Sequence, residues 1–566
     1  MRWKVPESGV SRNLETQAPD AVADPPTSAP PRPASPPAAG PPSSFEVAPQ
    51  SNARWTKGRW PWVLLGGILA VAAGVRIWQI AALGYNSDEA VYSGQAATIA
   101  HVNGLEALFP AFRAHPLLIQ TLLSIGYRLG GGEVFGRVAM ALVGVATVFA
   151  VYRLGDLLYG RRAGLAAALL LALMPYHVVV SRQVLLDGPM TFFATVTLYL
   201  LALFAKTRRV SWLYAASGAM GLTFLSKETA IVMLGSIYAF LALTPQIRVQ
   251  PRHLAGSFGV FVLLAATLPI TLAIAGQTHT GGDFLAWQIS RRPNHDLLFY
   301  PAVVTPAIGL LVVFAAVAGC LCLRRRATWR ETLLLSWIVV PVLFFELWAV
   351  KGYQYLLPVA PAVALLAARA LTSDQLWRAA ASRVEQLGLP ARFGRALADR
   401  RIQAAALAVV AISLLIPTLQ RIQPAESQSV LAGSGGIPGG REAGQWIERN
   451  TPQGARMMTI GPSMSNILEY YGRRRANGLA VSPNPLNRNP VYEPLSNPDR
   501  LIRDDQLQYV VWDAFSAERS SFFAAKLLGY VDRFHGRVIH TETVAATTPS
   551  GRETRKPIIT IYSVRP

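Results

Sequence analysis

A mainly α-helical polytopic membrane protein, with about eleven transmembrane helices, a long first outer loop and a C-terminal soluble α/β domain, is the fold this sequence predicts. Three observations carry that reading. Of the 566 residues 52% are apolar and only 15% charged, against about 25% charged in ordinary globular domains. Apolar runs close to the length of a bilayer crossing recur between Pro61 and Leu419, with short basic blocks between them. After Arg421 these runs stop, and a Gly-rich stretch leads into mixed polar sequence about the size of one domain.

The net charge of +21 would point to nucleic acid in a soluble chain. Here the basic residues fall between apolar runs, where they set orientation, so nucleic acid is excluded as a partner and the lipid bilayer is the expected one. Cys320 and Cys322 are the only cysteines and share one apolar run, which leaves no disulfide framework and no cluster of soft metal ligands.

Residues 1–58 are rich in Pro, Ala and Ser, with Pro25-Pro26, Pro30-Pro31 and Pro41-Pro42. They offer no periodic apolar face to bury, and a disordered cytoplasmic tail is expected. Arg54, Lys57 and Arg59 precede the first span, Pro61 to Leu83, which is read as an uncleaved anchor with its N-terminal flank in the cytoplasm. Asp88 and Glu89 then face outward, at the start of an outer loop that runs to about Gly132. The short apolar piece Ile119 to Leu129 is read as a helix dipping into the membrane face. The following windows are Val134 to Tyr152, Ala163 to Val180, Pro189 to Leu203, Ser211 to Leu225, Thr229 to Leu243, Leu254 to Ala275, Pro301 to Leu323, Thr332 to Val350, Tyr355 to Leu371 and Gln403 to Leu419.

Alternation along these windows places Arg153, Arg161, Arg162, Lys206, Arg208, Arg209, Arg248, Arg252, Arg324 to Arg326 and the basic loop Arg369 to Arg401 on the cytoplasmic side. This charge bias is independent of apolar run length. It also disfavours counting Ile119 to Leu129 as a full span, because the blocks would then lie outside. The expected organisation is therefore a membrane catalytic domain at 59–421, a linker at 422–440 and an extracytoplasmic α/β domain at 441–566. Within the last, helix is expected over Arg441 to Arg449 and Ser520 to Leu528. Strands are expected at Arg456 to Ile460, Tyr509 to Trp512 and Ile558 to Val564.

With this topology, more polar residues gather at the outer ends of spans than anchoring requires. They are Asp88, Glu89, His115, Arg182, Asp187, Lys227, Glu228, Lys351, Tyr353 and Tyr355. Carboxylates near hydrocarbon are costly and mark ion, proton or substrate handling. A cavity with carboxylates at its mouth and cations at membrane level suits a lipid-linked phosphate whose tail lies in the bilayer. The expectation is that His115, Arg182, Lys227, Lys351, Tyr353 and Tyr355 hold the phosphate, with Asp187 and Glu228 in support. A carboxylate of the Asp88-Glu89 pair then takes the proton from an incoming hydroxyl. No cofactor is implied by any motif, no His/Cys ligand spacing is present, and a divalent metal on the carboxylates is left open.

These residues sit in short motifs: Arg76; Asn86-Ser87-Asp88-Glu89-Ala90-Val91-Tyr92; His115-Pro116-Leu117-Leu118; Phe135-Gly136-Arg137-Val138 leading to Tyr152-Arg153-Leu154; Pro175-Tyr176-His177; Ser181-Arg182; Leu186-Asp187; Leu222 to Glu228; and Lys351-Gly352-Tyr353-Gln354-Tyr355-Leu356-Leu357-Pro358. In order and spacing they resemble the C-type membrane glycosyltransferases, near the protein O-mannosyltransferase and aminoarabinose (lipid A) transferase families. The resemblance implies a polyprenyl-phosphate-linked sugar donor, Asp88 as the base, and Glu89 supporting it or binding a metal or acceptor. The chain has His115-Pro116-Leu117-Leu118 where the aminoarabinose transferases carry Lys-Pro-Pro-Leu and the mannosyltransferases His-Pro-Pro-Leu. The acceptor is not implied. A transporter or flippase of a lipid-linked substrate is the alternative that the same basic cavity admits. A third reading is a surface-assembly protein that binds glycans without chemistry.

Overall fold

The computed structural model describes residues 59–112, 115–291, 293–322, 328–386, 390, 396–397, 399–424, 437–547 and 553–565. The Pro-rich tail, the basic block Arg324 to Arg326 and most of the Gly-rich linker lie outside the described residues.

The first nine α-helices are α1 (Trp60–Ile77), α2 (Ser87–Ile99), α3 (Leu118–Arg128), α4 (Glu133–Tyr159), α5 (Arg161–Leu173), α6 (Pro175–Ser181), α7 (Asp187–Thr207), α8 (Val210–Ser226) and α9 (Val232–Leu243). Six described helices are long and apolar enough to cross a membrane, or up to eight if each of two bent pairs is one span. The three other expected windows fall on α8, on Glu228–Leu243 and on Trp329–Leu347, which are shorter or more charged. At 11 residues, α3 extends only about 16 Å, half the hydrocarbon thickness.

Both bends have a backbone cause. Between α5 and α6 the axis turns by 62° at Pro175, which has no N–H to give the preceding turn and whose ring crowds its carbonyl. The second pair, Tyr300–Ile308 and Leu310–Cys320, bends by 92°. Its corner is Gly309 at φ +104°, a conformation that L side chains rarely adopt, and a Cβ there would meet Leu414 Cδ2 at 2.4 Å.

Small residues and one buried cation draw the helices together. A Cβ on Gly155 of α4 would lie 2.6 Å from Gly164 Cα of α5, and one on Gly164 would lie 2.6 Å from the Tyr152 carbonyl oxygen. The two backbones touch where glycine alone fits, the usual device for close helix packing in lipid. Arg76 of α1 is fully buried and donates to the carbonyls of Ala72 and Ala172, at 2.9 and 3.1 Å, and to Ser181 Oγ at 2.9 Å. Its Nη2 lies 2.7 Å from His177 Nδ1. These partners engage its N–H donors and pin α1 to α5 and α6.

From Gly440 the chain builds a five-stranded sheet of β1 (Arg456–Thr459), β2 (Arg475–Gly478), β3 (Tyr509–Asp513), β4 (Arg537–Thr547) and β5 (Glu553–Ser563) in the order β2-β1-β3-β5-β4. β1 pairs in parallel with β2 and β3, so crossover helices are needed, and Pro462–Gly472 and Pro498–Arg503 supply them. β5 runs antiparallel to β3 and β4. The expected helix at Arg441 to Arg449 is observed as Gly440–Asn450, and the three expected strands coincide with β1, β3 and β5.

At the end of β3, buried Asp513 caps the next helix by accepting the Ser516 N–H at 2.7 Å, while its Oδ2 has no hydrogen-bond partner. Burial pushes this carboxyl up to about 6, the Ser516 hydrogen bond acting in the opposite sense. A folded pKa above the unfolded value means that the stabilising contribution is full below about pH 4 and is lost as pH rises through about 6. The cost at pH 7 is about 3 kcal/mol. Asp513→Asn keeps a good cap and removes the charge. Hydrogen-exchange free energies of β3 and β5 in the full chain should rise by about 2–3 kcal/mol at pH 7 and lose their slope between pH 4 and 6. An unchanged slope contradicts this.

Candidate active site

The site is built on the turn that opens α2. Asn86 Oδ1 accepts the Glu89 N–H at 3.0 Å, and Glu89 Oε2 accepts the Asn86 N–H at 3.1 Å. This reciprocal cap satisfies two free donors of the helix start and places Asp88 and Glu89 in its first turn, where the helix dipole favours negative charge. Consecutive helical residues point about 100° apart, and the two carboxylates go different ways.

Glu89 turns inward and is fully buried. Its Oε1 accepts from Arg137 Nε at 2.8 Å and the Val184 N–H at 3.0 Å, and its Oε2 accepts from Arg137 Nη2 at 2.7 Å. Arg137 also donates to the carbonyls of Ile80, Leu83 and Gly84. Glu89 therefore ties the outer loop to α4 and the turn before α7. Expected in a catalytic role, Glu89 has both oxygens engaged by Arg137 and backbone N–H groups inside the protein.

Asp88 is half-buried and faces a cavity of about 180 Å³ that His115, Lys227, Glu228 and Tyr355 also line. Burial pushes the Asp88 carboxyl above its ordinary value; Lys227 and then His115 oppose this shift, and Glu89 adds to it. Lys227 sits in an extended break between α8 and the short turn Glu228–Ile231. Its Nζ donates to both oxygens of buried Asp187, at 2.9 and 2.8 Å, and lies 5.1 Å from the Tyr355 ring centre. Asp187, which is not part of the cavity lining, thus gives the Lys227 cation its counter-charge. His115 Nδ1 is 2.7 Å from Glu228 Oε2, and the ring meets Tyr92 and Phe284 edge-on.

Three expected phosphate ligands lie outside this cavity. Arg182 donates to the carbonyls of Val75 and Trp78 and closes the end of α1. Lys351 Nζ donates to the Glu346 carbonyl oxygen, lies 3.8 Å from that residue's carboxylate and faces the Tyr300 ring. Tyr353 is buried, with its carbonyl accepting from Tyr176 and its hydroxyl 3.5 Å from Arg421 Nη1. Each is occupied by local structure. Arg291 lines the cavity instead, with its guanidinium 4.4 Å from the Trp287 ring centre. The signal in the sequence was an Arg-Arg pair four residues after a tryptophan.

The C-terminal segment closes one wall with Asn489, Val491 and Tyr492. It also grips the turn before α2. Arg441 Nη2 donates to the carbonyls of Ala81 and Leu83 and to Glu133 Oε1, the Tyr471 hydroxyl accepts the Tyr85 N–H at 2.8 Å, and Asn466 Nδ2 donates to Ser87 Oγ at 2.9 Å. Among the described residues no group of three His, Cys, Asp or Glu side chains is placed to hold a metal ion.

Residues 114–272 match the family described as dolichyl-phosphate-mannose-protein mannosyltransferase. The undecaprenyl phosphate-alpha-4-amino-4-deoxy-L-arabinose arabinosyl transferase 1 of Pseudomonas fluorescens is 29% identical over 263 residues, 43% of this chain and 47% of that protein. The matched stretch therefore spans about half of that relative's length. Among solved structures, ArnT from Cupriavidus metallidurans bound to undecaprenyl phosphate superposes with a TM-score of 0.62 at 16% identity, covering 89% of this chain and 98% of that one. The fold is that of the C-type membrane glycosyltransferases. A second structure of this fold is the oligosaccharyltransferase AglB of Archaeoglobus fulgidus, solved with an inhibitory peptide and a dolichol-phosphate. It superposes at 0.53 with 16% identity over 89% of this chain and 74% of that one. The C-type fold puts the start of α2, which carries Asp88, beside the breaks after α8 and before Ala360–Thr372, and these supply Lys227 and Tyr355.

Proposed function

We propose that this chain moves one sugar from a polyprenyl phosphate onto an acceptor hydroxyl at the outer face of the membrane. The observation that carries the reading is the shared cavity, in which the Asp88 carboxylate faces Lys227, His115 and Arg291. Asp88 takes the acceptor proton, the acceptor oxygen bonds to the anomeric carbon, and the sugar–phosphate bond breaks with polyprenyl phosphate leaving. Attack opposite the leaving group inverts the anomeric centre. The phosphate gains negative charge as it leaves, so fixed cations there stabilise the transition state more than the ground state.

In this reading eleven crossings leave the N-terminal flank in the cytoplasm, with residues 441–566 outside as an acceptor-facing domain. That domain walls the cavity, so removing it takes away part of the site. The relatives are named as transferases, which supports transfer over flipping. Purified protein given a panel of radiolabelled polyprenyl-phosphate sugars should release free polyprenyl phosphate and label an acceptor. Movement of intact donor between leaflets without release of polyprenyl phosphate would establish the flippase instead.

A further inference from the structure

A second cavity, of about 120 Å³, lies between the outer loop at Ala107 to Pro110 and the C-terminal sheet. Its polar lining includes Asn466 and Glu469 from the helix Pro462–Gly472, Arg475 and Asn477 from β2, and Tyr492 and Glu493. Val491 and Tyr492 line this cavity and the catalytic one alike. The partition is thin. Asn466 Nδ2 donates both to the Tyr492 hydroxyl at 3.1 Å and to Ser87 Oγ at 2.9 Å, and Ser87 adjoins Asp88.

We infer that this second cavity is an acceptor saccharide subsite, holding a neutral sugar unit next to the one whose hydroxyl reaches Asp88. The inference rests on the transferase reading for its place in the reaction and on the lining for its chemistry. Asn477 offers a donor pair and an acceptor, Asn466, whose Nδ2 is already engaged, offers its acceptor oxygen, and Arg475 and Glu493, 3.6 Å apart, add a planar donor beside a carboxylate. Adjacent sugar hydroxyls need that mixture. A phosphorylated headgroup does not suit it, because two carboxylates, Glu469 and Glu493, line the cavity with a single guanidinium and like charge repels. The Tyr492 ring supplies a flat apolar face at the partition.

The test uses the full chain in nanodiscs, free of sugar-headed detergent and of donor lipid, with α-mannobiose, diacetylchitobiose and isomaltose as probes. Saturation-transfer NMR should show at least one of the three disaccharides binding, and Asn477→Ala or Glu493→Gln should weaken it about tenfold, as for one or two lost hydrogen bonds. Both residues lie away from the catalytic cavity, so either variant serves if the other misfolds. Absence of binding by all three, or binding that neither change alters, overturns the inference. So does displacement of the disaccharide by glycerol phosphate or by a short peptide at lower concentration. Saccharide binding in a protein that transfers no sugar would leave this subsite standing and defeat the transferase reading alone.

Discussion

Asp88→Asn lowers turnover about 10²- to 10⁴-fold, the usual worth of a general base, and leaves donor affinity nearly unchanged. Asparagine preserves the size of the side chain and its place in the first turn of α2, so the cavity keeps its shape while losing its proton acceptor. The same residue sets the acid side of the pH profile. Burial raises the Asp88 carboxyl above its ordinary value, and a base acts only when ionised. kcat/KM therefore falls as pH drops through that raised value, at a pH higher than a free carboxylate would give, and the limb disappears in Asp88→Asn. Steady-state kinetics of the purified variant across pH check both statements. Near-normal turnover would remove the assignment.

Glu89→Gln has the other large effect, and on stability. The wild-type carboxylate accepts two bonds from Arg137 and two from backbone N–H groups. Its neutral replacement leaves the Arg137 guanidinium, itself 4% exposed, with only Glu133, 3.3 Å away and shared with Arg441, as a counter-charge. Breaking a buried pair from one side costs about 3–5 kcal/mol, enough to unfold a marginally stable membrane domain or lower its melting temperature sharply. Thermal melts of the purified variant decide between the roles of the two neighbours. A Glu89→Gln protein that melts normally yet loses turnover would return Glu89 to the chemistry.

The membrane part was legible because apolar run length is a local property: every expected window falls on observed helix. The limits were less so, since α1 ends at Ile77 whereas apolar residues continue to Leu83. In the C-terminal part β1, β3 and β5 announced themselves through Met, Val and Ile. Arg475-Ala-Asn-Gly, which is β2, carries no such pattern and is a strand because its neighbour β1 pairs with it.

At the site, position along a span told depth and not direction. Lys227 and Arg182 end helices in the same way on paper. One lines the cavity and pairs with Asp187, and the other spends its donors on the carbonyls of α1 and the residue after it. Lys351 and Tyr353 lie outside the cavity for the same reason, their partners being backbone groups and a distant arginine. Arg291 and Trp287 went unread because no long apolar run frames them. The grip of Arg441, Asn466 and Tyr471 on the Asp88 turn spans more than 350 residues of sequence and has no local signal at all.

Donor phosphate is expected in the cavity shared by Asp88, His115, Lys227, Arg291 and Tyr355. A cryo-electron microscopy structure of the full chain with undecaprenyl phosphate tests it directly. The phosphate should lie beside Lys227 and Arg291 with the lipid chain running into the bilayer; a phosphate bound at Arg182 or Lys351, with the Asp88 cavity empty, would contradict this.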